Sequence, residues 1–132
     1  MDYKRLVKLA RQARTRSHSP YSRFRVGAAV LTRKGRVFTG CNIESSSFGL
    51  TVCAERTALF KAVSEGYRGF KALAIASDEQ TFTAPCGACR QVIMDLAGDI
   101  DFIMARSDGT FKVMKMSELF PHPFGAHNFE RG

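Results

Sequence analysis

The sequence has no long apolar run, no internal repeat and no low-complexity segment. No apolar stretch approaches the roughly 20 residues that a membrane-spanning helix needs, so we expect no membrane association. The first residues alternate charged and apolar side chains, without the unbroken apolar core of a signal peptide, which favours a cytoplasmic location. We therefore predict one globular domain over residues 1–132.

Acidic residues are scarce near the start of the chain. Residues 1–36 contain eleven lysines and arginines, opposed only by Asp2, and the whole chain has a net charge of +8. Such an excess can mark a nucleic-acid surface. No nucleic-acid motif accompanies it, so we interpret it as a solvated basic surface and expect no functional nucleic-acid binding.

Cysteine is also scarce, with four residues, and the expected reducing compartment disfavours a disulfide framework. Three of the four lie in two short motifs, Cys53-Ala54-Glu55 and Pro85-Cys86-Gly87-Ala88-Cys89. Cys41 is interpreted as a free, buried thiol, and the alternative is a fourth, structural metal ligand.

The pattern of apolar residues predicts an alternation of helices and strands. A helix over 53–65 is expected to direct Leu59, Phe60, Ala62 and Val63 inward. Strand–helix–strand units favour parallel pairing in the middle of the sheet and helices on both of its faces. The predicted fold is α/β, a three-layer α/β/α sandwich with a mixed five-stranded sheet. The full set of predicted elements is helix 2–17, strands 26–32 and 36–42, helix 53–65, strand 71–76, helix 86–97, strands 101–106 and 111–115, and a short helix at 117–120.

The two cysteine motifs together predict a zinc site. A spacing of i, i+3 places Cys86 and Cys89 on one face of a helix start, which alone would also suit a redox pair. Cys53, followed at once by Ala54-Glu55, favours zinc instead. Three thiolates leave one tetrahedral position open, as catalytic zinc sites do. We expect one zinc per subunit, with Glu55 as general acid and base and Arg56 as the cation that balances the thiolate charge.

Five short motifs spread over nearly the whole chain form a recognisable set. They are Pro20-Tyr21-Ser22-Arg23-Phe24, Val26-Gly27-Ala28-Ala29, Gly40-Cys41-Asn42-Ile43-Glu44, Cys53-Ala54-Glu55-Arg56-Thr57-Ala58 and Pro85-Cys86-Gly87-Ala88-Cys89-Arg90-Gln91. With these motifs the sequence resembles the small, homotetrameric class of zinc-dependent cytidine deaminases. That family hydrolyses cytidine and 2′-deoxycytidine to the uridines and ammonia in pyrimidine salvage. The resemblance implies the same reaction, a nucleoside substrate and self-association into a homotetramer.

The resemblance also implies roles for residues that bind the substrate. Asn42 and Glu44 match the pair that hydrogen-bonds the ribose hydroxyls, and Phe24 matches the aromatic residue that packs on the pyrimidine. The Ala54 backbone would bind the edge of the base, and Phe124 would reach the site of a neighbouring subunit. One departure is Phe48, which stands where the family usually has tyrosine.

Three alternatives stay open at this point. The substrate could be an aminoacyl-nucleoside antibiotic such as blasticidin S or a free base, although Asn42 and Glu44 suit an unmodified ribose. It could be a polynucleotide cytosine, although such enzymes usually have histidine where Cys53 stands. The chain could also be a non-catalytic, zinc-stabilised binding module, which would leave Glu55 and the open position without a purpose.

Overall fold

The structure, a computed structural model, describes residues 1–129. In this part of the chain five strands form one sheet in the order β2-β1-β3-β4-β5, and helices cover both faces. The predicted three-layer α/β/α sandwich is confirmed. The elements are α1 (Tyr3–Arg14), β1 (Val26–Thr32), β2 (Val37–Cys41), a 3-10 turn (Phe48–Leu50), α2 (Ala54–Ser64), β3 (Phe70–Ser77), α3 (Gly87–Leu96), β4 (Asp101–Ala105), β5 (Phe111–Lys115), α4 (Met116–Leu119) and a second 3-10 turn (Ala126–Phe129).

The sheet is parallel only where α3 crosses between two strands. β3 and β4 pair in parallel, whereas β1 pairs antiparallel with both β2 and β3, and β4 pairs antiparallel with β5. The expected parallel pairing in the middle therefore holds for β3 and β4 alone. The reason is that β2 is the edge strand, on the far side of β1 from β3. The connection from β2 through α2 to β3 therefore crosses β1, and β2 and β3 are not neighbours.

One face of the sheet is built from small side chains that let α1 approach closely. Leu6, Val7 and Ala10 of this helix pack on a surface of strand alanines. The closest approach is at Gly27 in β1, where an added methyl carbon would lie 2.0 Å from the carbonyl oxygen of Ala10. A glycine at this position is therefore required by helix–sheet packing.

The other face holds the larger core and supports the two helices that start with cysteines. Leu73, Ile75 and Phe102 of the sheet pack against α2 and α3. The prediction that Phe60 points inward is wrong, because its side chain is 46% exposed. The buried residues of α2 form a stripe through Ala54, Glu55, Ala58, Leu59 and Ala62, and Phe60 lies outside it. Within the described residues, no helix has the length and apolar character to cross a bilayer.

Candidate active site

Three cysteines meet where two helices begin. Cys53 is the N-cap residue of α2, Cys86 is the N-cap residue of α3, and Cys89 lies in the first turn of α3. Their three Sγ atoms lie within 4.8 Å of one another, and those of Cys53 and Cys86 are 3.7 Å apart. A tetrahedral zinc ion with Zn–S bonds of about 2.3 Å separates its sulfur ligands by about 3.8 Å. The spacing and the chemistry of these donors therefore fit zinc.

Cys41 takes no part in this cluster. Its Sγ lies 3.4 Å from the carbonyl oxygen of Arg16, and its side chain is partly exposed. The structure thus brings together the three predicted ligands and leaves Cys41 outside the cluster, as expected for a free thiol. The prediction that Cys41 is buried is wrong, because it lies at the end of the outer strand β2 and is partly exposed.

The surroundings of the cysteines favour a thiolate at Cys53. A hydrogen bond from the Cys89 thiol, with help from Arg56 and Cys86, lowers the pKa of Cys53 to about 5. The same hydrogen bond, together with burial, raises the pKa of Cys89. Arg56 Nη2 lies 3.5 Å from Cys53 Sγ and donates a second hydrogen bond to the carbonyl oxygen of Thr51 at 3.3 Å. Because metal binding requires thiolates, an arriving zinc ion must displace the Cys89 proton.

Glu55 is buried beside the cysteines. It lies in the first turn of α2, is only 3% exposed and lines a cavity next to Cys53 and Cys86. Burial raises the pKa of Glu55 to about 7, and the charge of Cys53 acts in the same direction. A carboxyl group with a pKa near neutrality can both accept and return a proton at physiological pH.

The cavity next to the cysteines is mostly apolar and has a volume of about 190 Å³. Ligand pockets in proteins usually measure roughly 300–1,000 Å³. One chain alone therefore encloses little more than a single ring. The residues that line it are Phe24, Val26, Asn42, Thr51, Cys53, Ala54, Glu55, Ile75, Thr83, Ala84 and Cys86.

Asn42 both lines the cavity and holds its wall in place. Its Oδ1 accepts hydrogen bonds from the backbone N–H of Val26 at 2.9 Å and from Ser17 Oγ at 2.5 Å. Its Nδ2 donates to the carbonyl oxygen of Phe24 at 2.8 Å. Within residues 1–129 this leaves one Nδ2 hydrogen for a ligand.

Glu44 is placed differently from Asn42. Its Oε1 accepts hydrogen bonds from the backbone N–H groups of Tyr21 and Ser22, both at 3.1 Å, and its Oε2 accepts from the Ser22 hydroxyl. The hydrogen bond from the Ser22 side chain is the largest cause that lowers the pKa of Glu44. Among the residues that the structure describes, Glu44 is not part of the cavity lining, and it fixes the segment that leads to Phe24.

Phe124 also lies away from the cavity of its own chain. Its ring is 56% exposed and packs edge-on against Phe129, with ring centroids 5.5 Å apart. Its carbonyl oxygen accepts a hydrogen bond from Gln91 Nε2 of α3 at 2.8 Å. The tail therefore follows α3 and presents the Phe124 ring outward.

Sequence reasoning missed several residues of the cavity wall. Thr83 and Ala84 stand directly before Pro85-Cys86, and this adjacency to a ligand motif was a usable signal. Val26 and Ile75 are apolar residues of buried strands and offered no signal, because only the sheet's pairing decides which of them faces a cavity.

Comparison with known proteins gives concordant matches. Residues 1–104 match the family model of the cytidine and deoxycytidylate deaminase zinc-binding region. A cytidine deaminase of Halalkalibacterium halodurans is 48% identical over 129 residues, covering 97% of this chain and 98% of the relative. A cytidine deaminase of Mycobacterium tuberculosis is 38% identical over 131 residues, with 99% and 96% covered.

Solved structures give the same result for the fold. The crystal structure of cytidine deaminase from Burkholderia pseudomallei superposes with a TM-score of 0.91 at 42% identity, covering 94% of this chain and 100% of the other. That of cytidine deaminase from Mycobacterium tuberculosis has a TM-score of 0.83 at 38% identity, with 95% and 98% covered.

Proposed function

Because this chain belongs to the cytidine and deoxycytidylate deaminase family, we propose that it catalyses the zinc-dependent hydrolysis of cytidine to uridine and ammonia. A water oxygen forms a bond to C4 of the cytosine ring, and the bond from C4 to the amino nitrogen breaks. The observation that supports this best is the buried Glu55 in the same cavity as cysteine sulfurs at zinc-binding distance.

Cys53, Cys86 and Cys89 would hold one zinc ion per chain. Zinc supplies Lewis acidity, which makes water a nucleophile at neutral pH. Three thiolates carry more negative charge than the ion neutralises. Arg56, with Nη2 3.5 Å from Cys53 Sγ, offsets part of that excess, and so do the positive N-terminal ends of α2 and α3.

Glu55 moves the protons of the reaction. Its carboxylate oxygen accepts a proton from the attacking water and passes it to N3 of the cytosine ring. It then takes the remaining proton from the oxygen now bonded to C4 and passes it to the amino nitrogen, which leaves as ammonia while C4 and oxygen form the carbonyl group. Burial favours this role because it raises the pKa of Glu55 to about 7, so that neither protonation state is strongly disfavoured at neutral pH.

The cavity wall positions the nucleoside. Phe24 packs on the pyrimidine, the backbone N–H of Ala54 binds the base edge, and the remaining Nδ2 hydrogen of Asn42 donates to a ribose hydroxyl. Glu44 accepts three hydrogen bonds from Tyr21 and Ser22, and a carboxylate has about four acceptor positions, so one is left for the sugar. With so few sugar contacts, 2′-deoxycytidine is also a substrate.

We propose that four copies of the chain associate and complete one another's sites. The cavity is small for a nucleoside. Large apolar side chains are exposed in the segment just before Thr51, which lines the cavity, and in the C-terminal tail. Phe48 is 69% exposed and Leu50 is 71% exposed, one residue before the cavity-lining Thr51. Phe124 of a neighbouring copy would supply part of the missing wall.

The cysteine ligands also bear on location. They must stay reduced in order to bind metal, and thiols persist in reducing compartments. A cytoplasmic enzyme that returns cytidine to the uridine pool in pyrimidine salvage satisfies this requirement.

The test is a substrate comparison with zinc-loaded protein. Ammonia release and the ultraviolet spectrum are followed with cytidine, 2′-deoxycytidine, cytosine, blasticidin S and a single-stranded oligonucleotide. We expect turnover of the two nucleosides and little with the other three. Efficient deamination of the oligonucleotide would make the polynucleotide the substrate, and no turnover of any compound would favour the binding module.

A further inference from the structure

Two cations face the aromatic ring of Phe82. The guanidinium carbon of Arg106 lies 4.2 Å from the ring centroid, and Lys112 Nζ lies 5.2 Å from it. Arg106 directly follows β4, and Lys112 lies in β5. Both distances are within the roughly 6 Å over which a cation is attracted to a ring face. The hairpin of β4 and β5 therefore contacts Phe82, which lies in the segment between β3 and α3.

That segment, residues 78–86, forms one side of the candidate active site. Thr83, Ala84 and Cys86 line the cavity, and Thr83 directly follows Phe82. On the strand side, the hydroxyls of Ser77 and Thr83 are 2.6 Å apart. On the hairpin side, the backbone N–H of Ser107 donates to the carbonyl oxygen of Glu79 at 2.9 Å. The segment is thus held from both sides, and the Phe82 contact is the one nearest the cavity wall on the hairpin side.

The buried Nε of Arg106 has no hydrogen-bond partner among the described residues, so no hydrogen bond from this atom holds the side chain elsewhere. Leaving a buried donor unpaired is unfavourable, so the arrangement must be held by other interactions. Its backbone is fixed at the hairpin turn, where the Arg106 N–H donates to the carbonyl oxygen of Thr110 at 2.8 Å. A planar guanidinium is suited to lie flat on an aromatic face.

We infer that Arg106 is a positioning residue, which holds Thr83 and Ala84 in the cavity wall by stacking on Phe82. This inference rests on the proposed function, because it concerns the same substrate site. Thr83 and Ala84 would touch the bound nucleoside, whereas the zinc ligands and Glu55 are held by α2 and α3. Loosening the wall should therefore weaken substrate binding and leave the chemical step nearly unchanged.

The experiment is a double-mutant cycle on cytidine deamination with Arg106→Gln, Phe82→Leu and the double variant. We expect each single variant to raise KM roughly three- to tenfold, the range that follows from the strength of a cation–π contact, with kcat within about twofold. Phe82→Leu also removes the contact with Lys112, so it should be at least as harmful as Arg106→Gln. The double variant should be no worse than Phe82→Leu alone, because that substitution already removes the contact with Arg106. Arg106→Lys, which keeps the cation, should recover part of the KM. Arg5→Gln is the matched control, since Arg5 is an exposed arginine of α1.

A second readout does not depend on activity. The methyl NMR resonances of Thr83 and Ala84 should shift in Arg106→Gln and Phe82→Leu without substrate, and not in Arg5→Gln, with zinc content unchanged. Additive effects in the cycle, a fall in kcat with zinc loss, or unshifted methyl resonances would overturn the inference. If Arg106→Gln does not fold, Phe82→Leu and Arg106→Lys are compared instead. The inference then predicts a larger rise in KM and larger methyl shifts in Phe82→Leu than in Arg106→Lys. Failure of the wild-type chain to deaminate cytidine would instead refute the proposed function, and the methyl shifts would still test the contact.

Discussion

Tyr3 Oη donates a 2.5 Å hydrogen bond to Asp101 Oδ2 and so ties the first turn of α1 to the start of β4, 98 residues away. Burial, the hydrogen bond to Asp101 and its charge raise the pKa of Tyr3 to about 12. Lys115 and Tyr3 lower the pKa of Asp101. The contact therefore makes folding stability depend on pH at both ends of the scale.

We predict that Tyr3→Phe lowers the free energy of unfolding by about 1 kcal/mol at pH 7. A pKa raised on folding stabilises the folded chain below the unfolded value of 10 and loses its effect as pH rises from there to about 12. The difference between wild type and Tyr3→Phe should therefore shrink over that range. Denaturant unfolding as a function of pH measures it, and Tyr21→Phe, at an exposed tyrosine, is the control. A difference independent of pH would contradict the prediction.

Asp101 should act at the acidic end. Its lowered pKa stabilises the folded chain above the ordinary value of 3.8 and loses this effect as pH falls through the folded pKa. The free energy of unfolding of Asp101→Asn should therefore fall less on acidification than that of the wild type. Equal acid sensitivity of Asp101→Asn and wild type would show that the carboxylate does not contribute.

The metal assignment predicts three equivalent losses and one neutral change. Alanine at Cys53, Cys86 or Cys89 should abolish zinc retention and deaminase activity, because the open tetrahedral site has no spare protein ligand. Cys41→Ser should keep both, since its Sγ contacts the Arg16 carbonyl oxygen instead. Elemental analysis gives zinc per chain. Loss of zinc in Cys41→Ser would overturn the assignment.

Glu55→Gln should fold and bind zinc and cytidine but turn over slowly. General acid–base catalysis contributes roughly 10²–10⁴-fold, and a residue that serves several proton transfers should lie at the upper end. Glu65→Gln, at an exposed glutamate at the end of α2, is the matched control. Near wild-type turnover of Glu55→Gln would remove Glu55 from the mechanism.

Asn42→Ala should affect stability and substrate choice together. It removes the partners of Val26, Ser17 and Phe24, and a buried backbone group left unpaired costs about 1–3 kcal/mol. Activity on cytidine should fall further than any activity on free cytosine, since only the nucleoside has the hydroxyl that we propose Asn42 binds. Gln12→Ala, on the exposed face of α1, is the control for unfolding and kinetics. Equal falls on both substrates would leave Asn42 with its structural role alone.

Sedimentation should show a tetramer, and Phe124→Ala should raise KM without removing zinc. The reason is that Phe124 is exposed in its own chain and lies outside its own cavity lining within residues 1–129. Phe60→Ala tests a second exposed ring, on α2, and should affect assembly more than KM. A fully active monomer would contradict both expectations.

The sequence predicted the metal centre well because its geometry is local. Cys86 and Cys89 share one helix turn, and Cys53 and Glu55 share another, so spacing places the side chains within each motif. The meeting of the two motifs, 33 residues apart, was inferred from the kinds of ligand they supply, and the structure shows it. The family and the three-layer sandwich were confirmed for the same reason, since motifs and periodicity are carried by short segments.

What the sequence could not give depends on contacts between distant segments. Whether β3 neighbours β1 or β2 is settled by packing of the whole sheet. Asn42 and Glu44 were both expected at the ribose, yet within residues 1–129 Glu44 lies outside the cavity lining of its own chain. Three of its acceptor positions bind Tyr21 and Ser22, more than 20 residues earlier. The stacking of Arg106 on Phe82 likewise joins two loops whose approach no local pattern records.

Cys53 begins α2 without the side-chain hydrogen bond that usually satisfies the free N–H groups of a helix start. Its sulfur is committed to the cluster instead, so a coordinated ion fixes the end of the helix where a serine or aspartate would otherwise do so. Removal of zinc with a chelator should therefore fray the first turn of α2. Amide hydrogen exchange at residues 54–57 would then report metal occupancy directly. The frayed turn would also make the zinc-free chain more susceptible to proteolysis than the zinc-loaded chain.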